Sequence, residues 1–206
     1  MLEIRETTLE DLKNIQRLWA DGEVMRFVGF PEGLHESDEA LRAWIGHLPA
    51  ARPLSNHWSI YEDGVYCGET NYCIDEETRS ASLDIKLFAA ARGRGIAARA
   101  LSHAIEAAFQ NGAETVWVDP APDNAKAIVL YHRLGFTQKE MPAHVIAQGE
   151  DPETNLYFEL SRPQSLPFAE LLKHADLRSP FDEDCLKSVC ETAKQWLDDF
   201  DLNGIE

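Results

Sequence analysis

The run LDIKLFAAARGRGIAARALSHAIEAAF, Leu83 to Phe109, passes from a strand-like segment through a turn bearing Gly93 and Gly95 into a long amphipathic helix. Glycine lets the backbone approach a ligand with no Cβ in the way, and the free N–H groups of a helix N-terminus attract anions. The turn is therefore a candidate phosphate cradle, flanked by Arg92 and Arg94 in a chain of net charge −17. Two carboxylates lie near it in sequence. Asp84 stands mid-strand between Leu83 and Ile85, where an unpaired carboxylate is expensive to bury, and Lys86 two residues on offers an ion pair on the same face. Asp119 stands where Pro120 and Pro122 stop the next strand; it is placed either to meet a ligand at a strand end or to stabilise a turn. Further on, Asn124, Ala127 and Tyr131 follow i, i+3, i+7 spacing and share one helix face, Asn124 and Tyr131 being about 10 Å apart along the axis. Asn124 also suits a helix cap, and Tyr131 a core position.

Which phosphate the turn holds is decided by its surroundings. A Walker loop ends in Gly-Lys-Ser/Thr, and RGRGIAAR has no lysine there. Gly93, Gly95 and Ala98 do fit the G-x-G-x-x-A dinucleotide fingerprint, but AAAR separates them from the preceding strand, and no further βαβ units follow Asp119. The third reading uses the whole run. Arg92-x-x-Gly95-x-Ala97 resembles the R/Q-x-x-G-x-G/A acyl-CoA signature of the GNAT superfamily of N-acetyltransferases, and VDPAPDNAKAIVLYHRLGF, Val118 to Phe136, resembles the N-x-x-A-x-x-x-Y-x-x-x-G-F segment that follows it in that family. Ala97 replaces the glycine of many members, which the pattern tolerates. The resemblance runs from about Leu2 to Ser161, and VDPAPDN is most similar to the aminoglycoside 6′-N-acetyltransferases.

The resemblance implies acetyl-CoA as co-substrate, with Leu87, Arg92, Gly93, Arg94, Gly95, Ile96, Ala97, Asn124 and Tyr131 as its contacts. Backbone N–H groups from Gly93 to Ala97 would take the pyrophosphate and Asn124 the pantetheine arm. Tyr131 would protonate the departing thiolate. An amine of pKa near 10 must lose a proton before it attacks, which costs about 4 kcal/mol at neutral pH, so a base or ordered water has to assist. Asp84, eight residues before Arg92, and Asp119 match acceptor-site carboxylates of the aminoglycoside-modifying relatives; Asp84 is expected to orient and deprotonate the amine, with Asp119 as second carboxylate. Glu69 is a third carboxylate that either faces the cleft or lies on a solvated strand face. Phe27, Phe30 and Trp58 are candidate pocket walls or core residues. The expected reaction is acetyl transfer to a primary amine on a small cationic molecule. A peptide N-terminus as acceptor, and an acyl-CoA-binding sensor without turnover, are the alternatives.

The elements that must position these residues read β-α-α-β-β-β-α-β-α-β-β. Thr8 starts a helix carrying Leu12, Ile15 and Leu18; Ser37 starts a second, ended by Pro49 and Pro53; Asp63-Gly64 makes a tight type I′ hairpin between two strands. A third strand, Ser80 to Phe88, enters the glycine turn, and the helix beyond stops at Asn111-Gly112. The strand ETVWV, a helix from Asn124 to Leu134, and two strands joined by the turn GEDPE complete the order. The fold class is α+β, an α/β/α sandwich. The GNAT resemblance makes it a central mixed, mostly antiparallel sheet flanked by helices and splayed at the acetyl-CoA cleft, between Ser80–Phe88 and Thr115–Val118.

Residues 1–162 are the expected catalytic domain and 163–206 an acidic helical extension. In the extension Leu186, Val189, Ala193, Trp196 and Leu197 form an apolar stripe suited to docking on the domain or on a second copy in a homodimer. The acidic balance disfavours nucleic acid and anionic membranes as partners. No apolar run approaches the ~20 residues of a membrane span, and the acidic start lacks a signal-like apolar stretch, so a cytoplasmic protein is expected. The spacings of four cysteines and seven histidines suit neither local disulfides nor a metal site, and buried reduced thiols are expected.

Overall fold

The computed structural model describes residues 1–162, which form one unit; the extension and its apolar stripe lie outside the described residues. The chain begins with β1 (Leu2–Glu6), and Thr8 then caps a 3-10 turn and α1 (Leu12–Trp19) through a capping box with Asp11. Asp11 is fully buried there because Arg5 grips both of its oxygens, at 3.1 and 2.8 Å. A short α2 (Gly22–Met25), absent from the sequence reading, and α3 (Asp38–Ala51) follow. Contrary to expectation, Pro49 lies inside α3 instead of ending it.

Three strands come next: β2 (Ser55–Glu62), β3 (Val65–Ile74) and β4 (Ser80–Leu87). The β2–β3 turn has φ of 49° at Asp63 and 79° at Gly64, the positive pair that a type I′ hairpin requires. After β4 come α4 (Ile96–Gln110), β5 (Thr115–Val118), α5 (Ala125–Arg133), β6 (Thr137–Lys139), α6 (Ala143–Ala147) and β7 (Tyr157–Ser161). The GEDPE region thus carries an additional helix, α6, just before it.

These strands make one seven-stranded sheet in the order β1-β2-β3-β4-β5-β7-β6. Each neighbouring pair is antiparallel except β4 with β5. On one face Trp58, Tyr72, Ile74, Leu83, Val116 and Phe158 pack with Leu101, Ala104 and Ala108 of α4 and with Tyr131 of α5. Alanines at 100, 104 and 108 are fully buried, and their small side chains let α4 lie close on the strands. Leu12, Ile15, Leu18, Val24, Leu41 and Ile45 of the first three helices form a second cluster with Tyr66.

Two irregularities prepare the site. The parallel pairing of β4 with β5 covers only Ser80–Thr115, Ala81–Val116 and Ser82–Trp117, so the strands part beyond that point. A register shift between Ile60 and Tyr61 marks a bulge opposite Gly68, whose φ is 155°. A Cβ at Gly68 would clash with the Lys86 carbonyl oxygen, so only glycine allows the close approach of β3 to β4 there.

Candidate active site

The glycine turn is built for backbone contacts. Gly93 and Gly95 have φ of 74° and 75°, a left-handed conformation that glycine alone adopts freely. Among the described residues, no atom beyond the chain neighbours lies within 4 Å of where a Cβ would stand at either residue, so this side of the turn is open to them. Gly95 is the N-cap of α4 and brings no capping side chain, and the first turn holds no acidic residue. The leading N–H groups of a 15-residue helix are left for an anion. These features fit a pyrophosphate.

The arginines are engaged elsewhere. Arg92 donates from Nη1 to Glu23 Oε1 at 2.9 Å and from Nε to the Leu87 carbonyl at 3.1 Å, while Arg94 pairs with Glu62. The candidate cradle is main chain, and both arginines are held by ion pairs beside it.

The pairing of β4 with β5 ends before Asp84 and Asp119 are reached, and α5 follows. Asn124 is the N-cap of α5 and accepts from the Ala127 N–H at 3.3 Å, so the capping role is filled. One turn and more along α5, Tyr131 is 8% exposed, its ring 5.8 Å from Phe136 and 6.4 Å from Phe158. Burial, then the charges of Asp84 and Asp119, push its phenol up, so it stays protonated through the neutral range. It is a core residue that keeps its phenolic proton.

The two aspartates differ sharply. Asp84 forms the ion pair with Lys86 that their spacing allowed, and its side chain remains 35% exposed. Asp119 accepts from Asn155 Nδ2 at 3.0 Å. Burial, the adjoining Glu150 carboxyl and the Asp84 charge raise the Asp119 carboxyl to about 8, outweighing the Asn155 hydrogen bond. Glu150 was missed in the sequence, where GEDPE reads only as a turn.

Glu69 is not on a solvated face: its side chain is 1% exposed. Its Oε1 accepts from Trp19 Nε1 at 2.7 Å and lies 3.5 Å from Lys86 Nζ, and its Oε2 lies 3.5 Å from His57 Nε2. Burial alone would raise this carboxyl, but His57, Lys86 and Trp19 overcome that and hold it at about 2. Nothing local in CGETNY signals this, because the partners come from α1, β2 and β4. Trp58 is 5% exposed and belongs to the core against α4, with Tyr72 at 5.6 Å, so it is not a pocket wall. Phe27 lies under Arg26 at 4.3 Å, and Phe30 is exposed. Cys67 is buried as expected, whereas Cys73 is exposed. Among the described residues no cluster of three His, Cys, Asp or Glu side chains could hold a metal ion, and no helix is long and apolar enough to cross a membrane.

The family model described as an acetyltransferase (GNAT) domain matches residues 1–137. The chain belongs to the GNAT acetyltransferase family. Within this GNAT chain, 77 residues are 35% identical to the N-alpha-acetyltransferase MAK3 of Arabidopsis thaliana, a match covering 37% of the chain and 40% of that protein. The GNAT fold is shared with an acetyltransferase from Streptococcus pneumoniae, at TM-score 0.64 and 18% identity over 78% of this chain and 99% of that one. It is shared also with spermidine N-acetyltransferase from Vibrio cholerae, solved with CoA and spermine, at TM-score 0.63 and 18% identity over 83% of this chain and 98% of that one. The matched residues include both the glycine turn and α5.

Proposed function

We propose that this GNAT chain transfers acetyl directly from acetyl-CoA to a primary amine on a small cationic molecule. The observation that carries the reading is that Tyr131, a phenol kept protonated, is flanked at the parting of β4 and β5 by two carboxylates of unlike environment, Asp84 and Asp119. The amine nitrogen attacks the acetyl carbonyl, the carbon–sulfur bond breaks, and the thiolate takes the Tyr131 proton. The proton leaving the amine goes to Asp119, and Asp84 holds the ammonium before reaction.

These roles reverse the expectation that Asp84 is the base. Moving a proton from an ammonium of pKa about 10.4 to a carboxylate whose acid titrates at about 8 is uphill by about 3 kcal/mol. Asp119 in its ionised form is thus a well matched acceptor, and Asp84, already joined to Lys86, serves binding.

The match to an N-alpha-acetyltransferase supports a second reading, in which the amine is a peptide N-terminus. A panel of spermidine, aminoglycosides and peptides of varied N-terminus, followed by thiol release from acetyl-CoA, separates the two. A cationic small amine is expected to have the highest kcat/KM; a neutral or acidic peptide used better than every cation overturns the acceptor class. Acetyl-CoA binding with no thiol release for any amine would leave a sensor.

A further inference from the structure

One buried ion pair on the β3–β4 face is not consumed by this chemistry. Glu69 and Lys86 stand directly opposite in the strand register, with side chains 1% and 12% exposed. A buried carboxylate costs several kcal/mol unless it is well paired, and three partners from three elements surround this one: Trp19 of α1, His57 of β2 and Lys86 of β4. His57 is itself held through Nδ1 by Thr7 Oγ1 at 2.8 Å. The ammonium of Lys86 therefore has one side against a buried carboxylate held from α1 and β2, and its other side reaches Asp84 Oδ2. The glycine bulge at Gly68 brings the two backbones close at this point.

We propose that Lys86, anchored from behind by Glu69, is a positioning residue that fixes the Asp84 carboxylate at the acceptor end of the cleft. This rests on the reading of Asp84 as the group that receives the acceptor's ammonium. Without Lys86, a half-exposed aspartate on a strand is free to choose among rotamers. With it, Oδ2 is occupied and Oδ1 remains for the acceptor. One cation for two carboxylates also leaves net negative charge, so an ammonium is still attracted. The other polar groups around Asp84 are Asn71 opposite it on β3, and Asp119 and Tyr131 across the cleft.

The test compares wild type, Asp84→Asn, Lys86→Arg and the paired variant Lys86→Met with Glu69→Gln. The pair removes both buried charges together, so that neither is left alone to unfold the protein. Crystal structures of the paired variant should show the Asp84 carboxylate displaced or in several rotamers; an unmoved single rotamer overturns the proposal. With spermidine as acceptor, the pair should raise acceptor KM about tenfold, leave acetyl-CoA KM unchanged, and add nothing further in the Asp84→Asn background. Lys86→Arg should recover part of the loss. Effects that add to those of Asp84→Asn would show a merely structural role and overturn the proposal. If Asp84→Asn itself leaves acceptor KM unchanged, the reading of Asp84 fails while the structural arm still decides whether Lys86 positions it; the same arm decides alone if spermidine is not turned over.

Discussion

Replacing Asp119 by asparagine should stabilise the protein in alkaline buffer while it removes turnover. The folded carboxyl titrates at about 8, against about 3.9 for an unfolded aspartate. Below about pH 4 both states hold the proton and the aspartate costs nothing. Between the two values the unfolded chain releases a proton that the folded protein keeps, so stability falls as pH rises, by up to about 1.4 kcal/mol per unit, and the loss is complete above about pH 8. From pH 5.5 to pH 9 the interval spans about 2.5 units, an upper bound of about 3 kcal/mol. Water at the partly exposed carboxyl screens part of this, and about 1–2 kcal/mol is the expected effect. For a chain of this size that corresponds to about 3–6 °C in Tm. Scanning calorimetry of wild type and Asp119→Asn at pH 5.5, 7 and 9 should therefore show a gap that widens with pH in favour of the variant, with thiol release measured in parallel. A gap independent of pH, or a variant less stable than wild type at pH 9, would refute the reasoning that the surroundings of Asp119 raise its proton affinity.

Glu150→Gln removes the carboxyl that helps hold the proton on Asp119, so the acidic limb of kcat/KM should move down by about one unit; an unmoved limb would separate Asp119 from proton transfer. Tyr131→Phe keeps the packing against Phe136 and Phe158 but deletes the donor, so kcat should fall about 10²-fold with acetyl-CoA affinity within a few-fold, and an unchanged chemical step in single-turnover kinetics would rule the phenol out. Gly95→Asp puts a negative side chain on the open side of the cradle at a left-handed position, and calorimetry should show acetyl-CoA binding weakened at least 100-fold; retained affinity would mean that the pyrophosphate lies elsewhere.

Local chemistry in the chain determined a good deal. Gly93 and Gly95 before an amphipathic run marked the helix start and its left-handed turn, because left-handed φ and absent Cβ atoms are properties of single residues. Thr8, Ser37, Asn124 and the Asp63-Gly64 pair marked element ends for the same reason, each acting within a few residues of itself. The i, i+3, i+7 spacing of Asn124, Ala127 and Tyr131 likewise follows from helix geometry alone. Where a neighbour distant in sequence decides the outcome, the chain was silent. Pro49 is tolerated inside α3, whose Leu41 and Ile45 are buried with Leu12, Ile15 and Leu18 of α1 in one cluster. Glu69 read equally as a cleft-facing or a surface acid, and only the β2–β3–β4 register, with Gly68 permitting close approach, and the packing of α1 surround it with His57, Lys86 and Trp19. Glu150 and Asp119 are 31 residues apart, and the tertiary fold alone makes one raise the proton affinity of the other. Charge state depends on burial and on what stands a few ångströms away, and neither is a property of the residue that carries the charge.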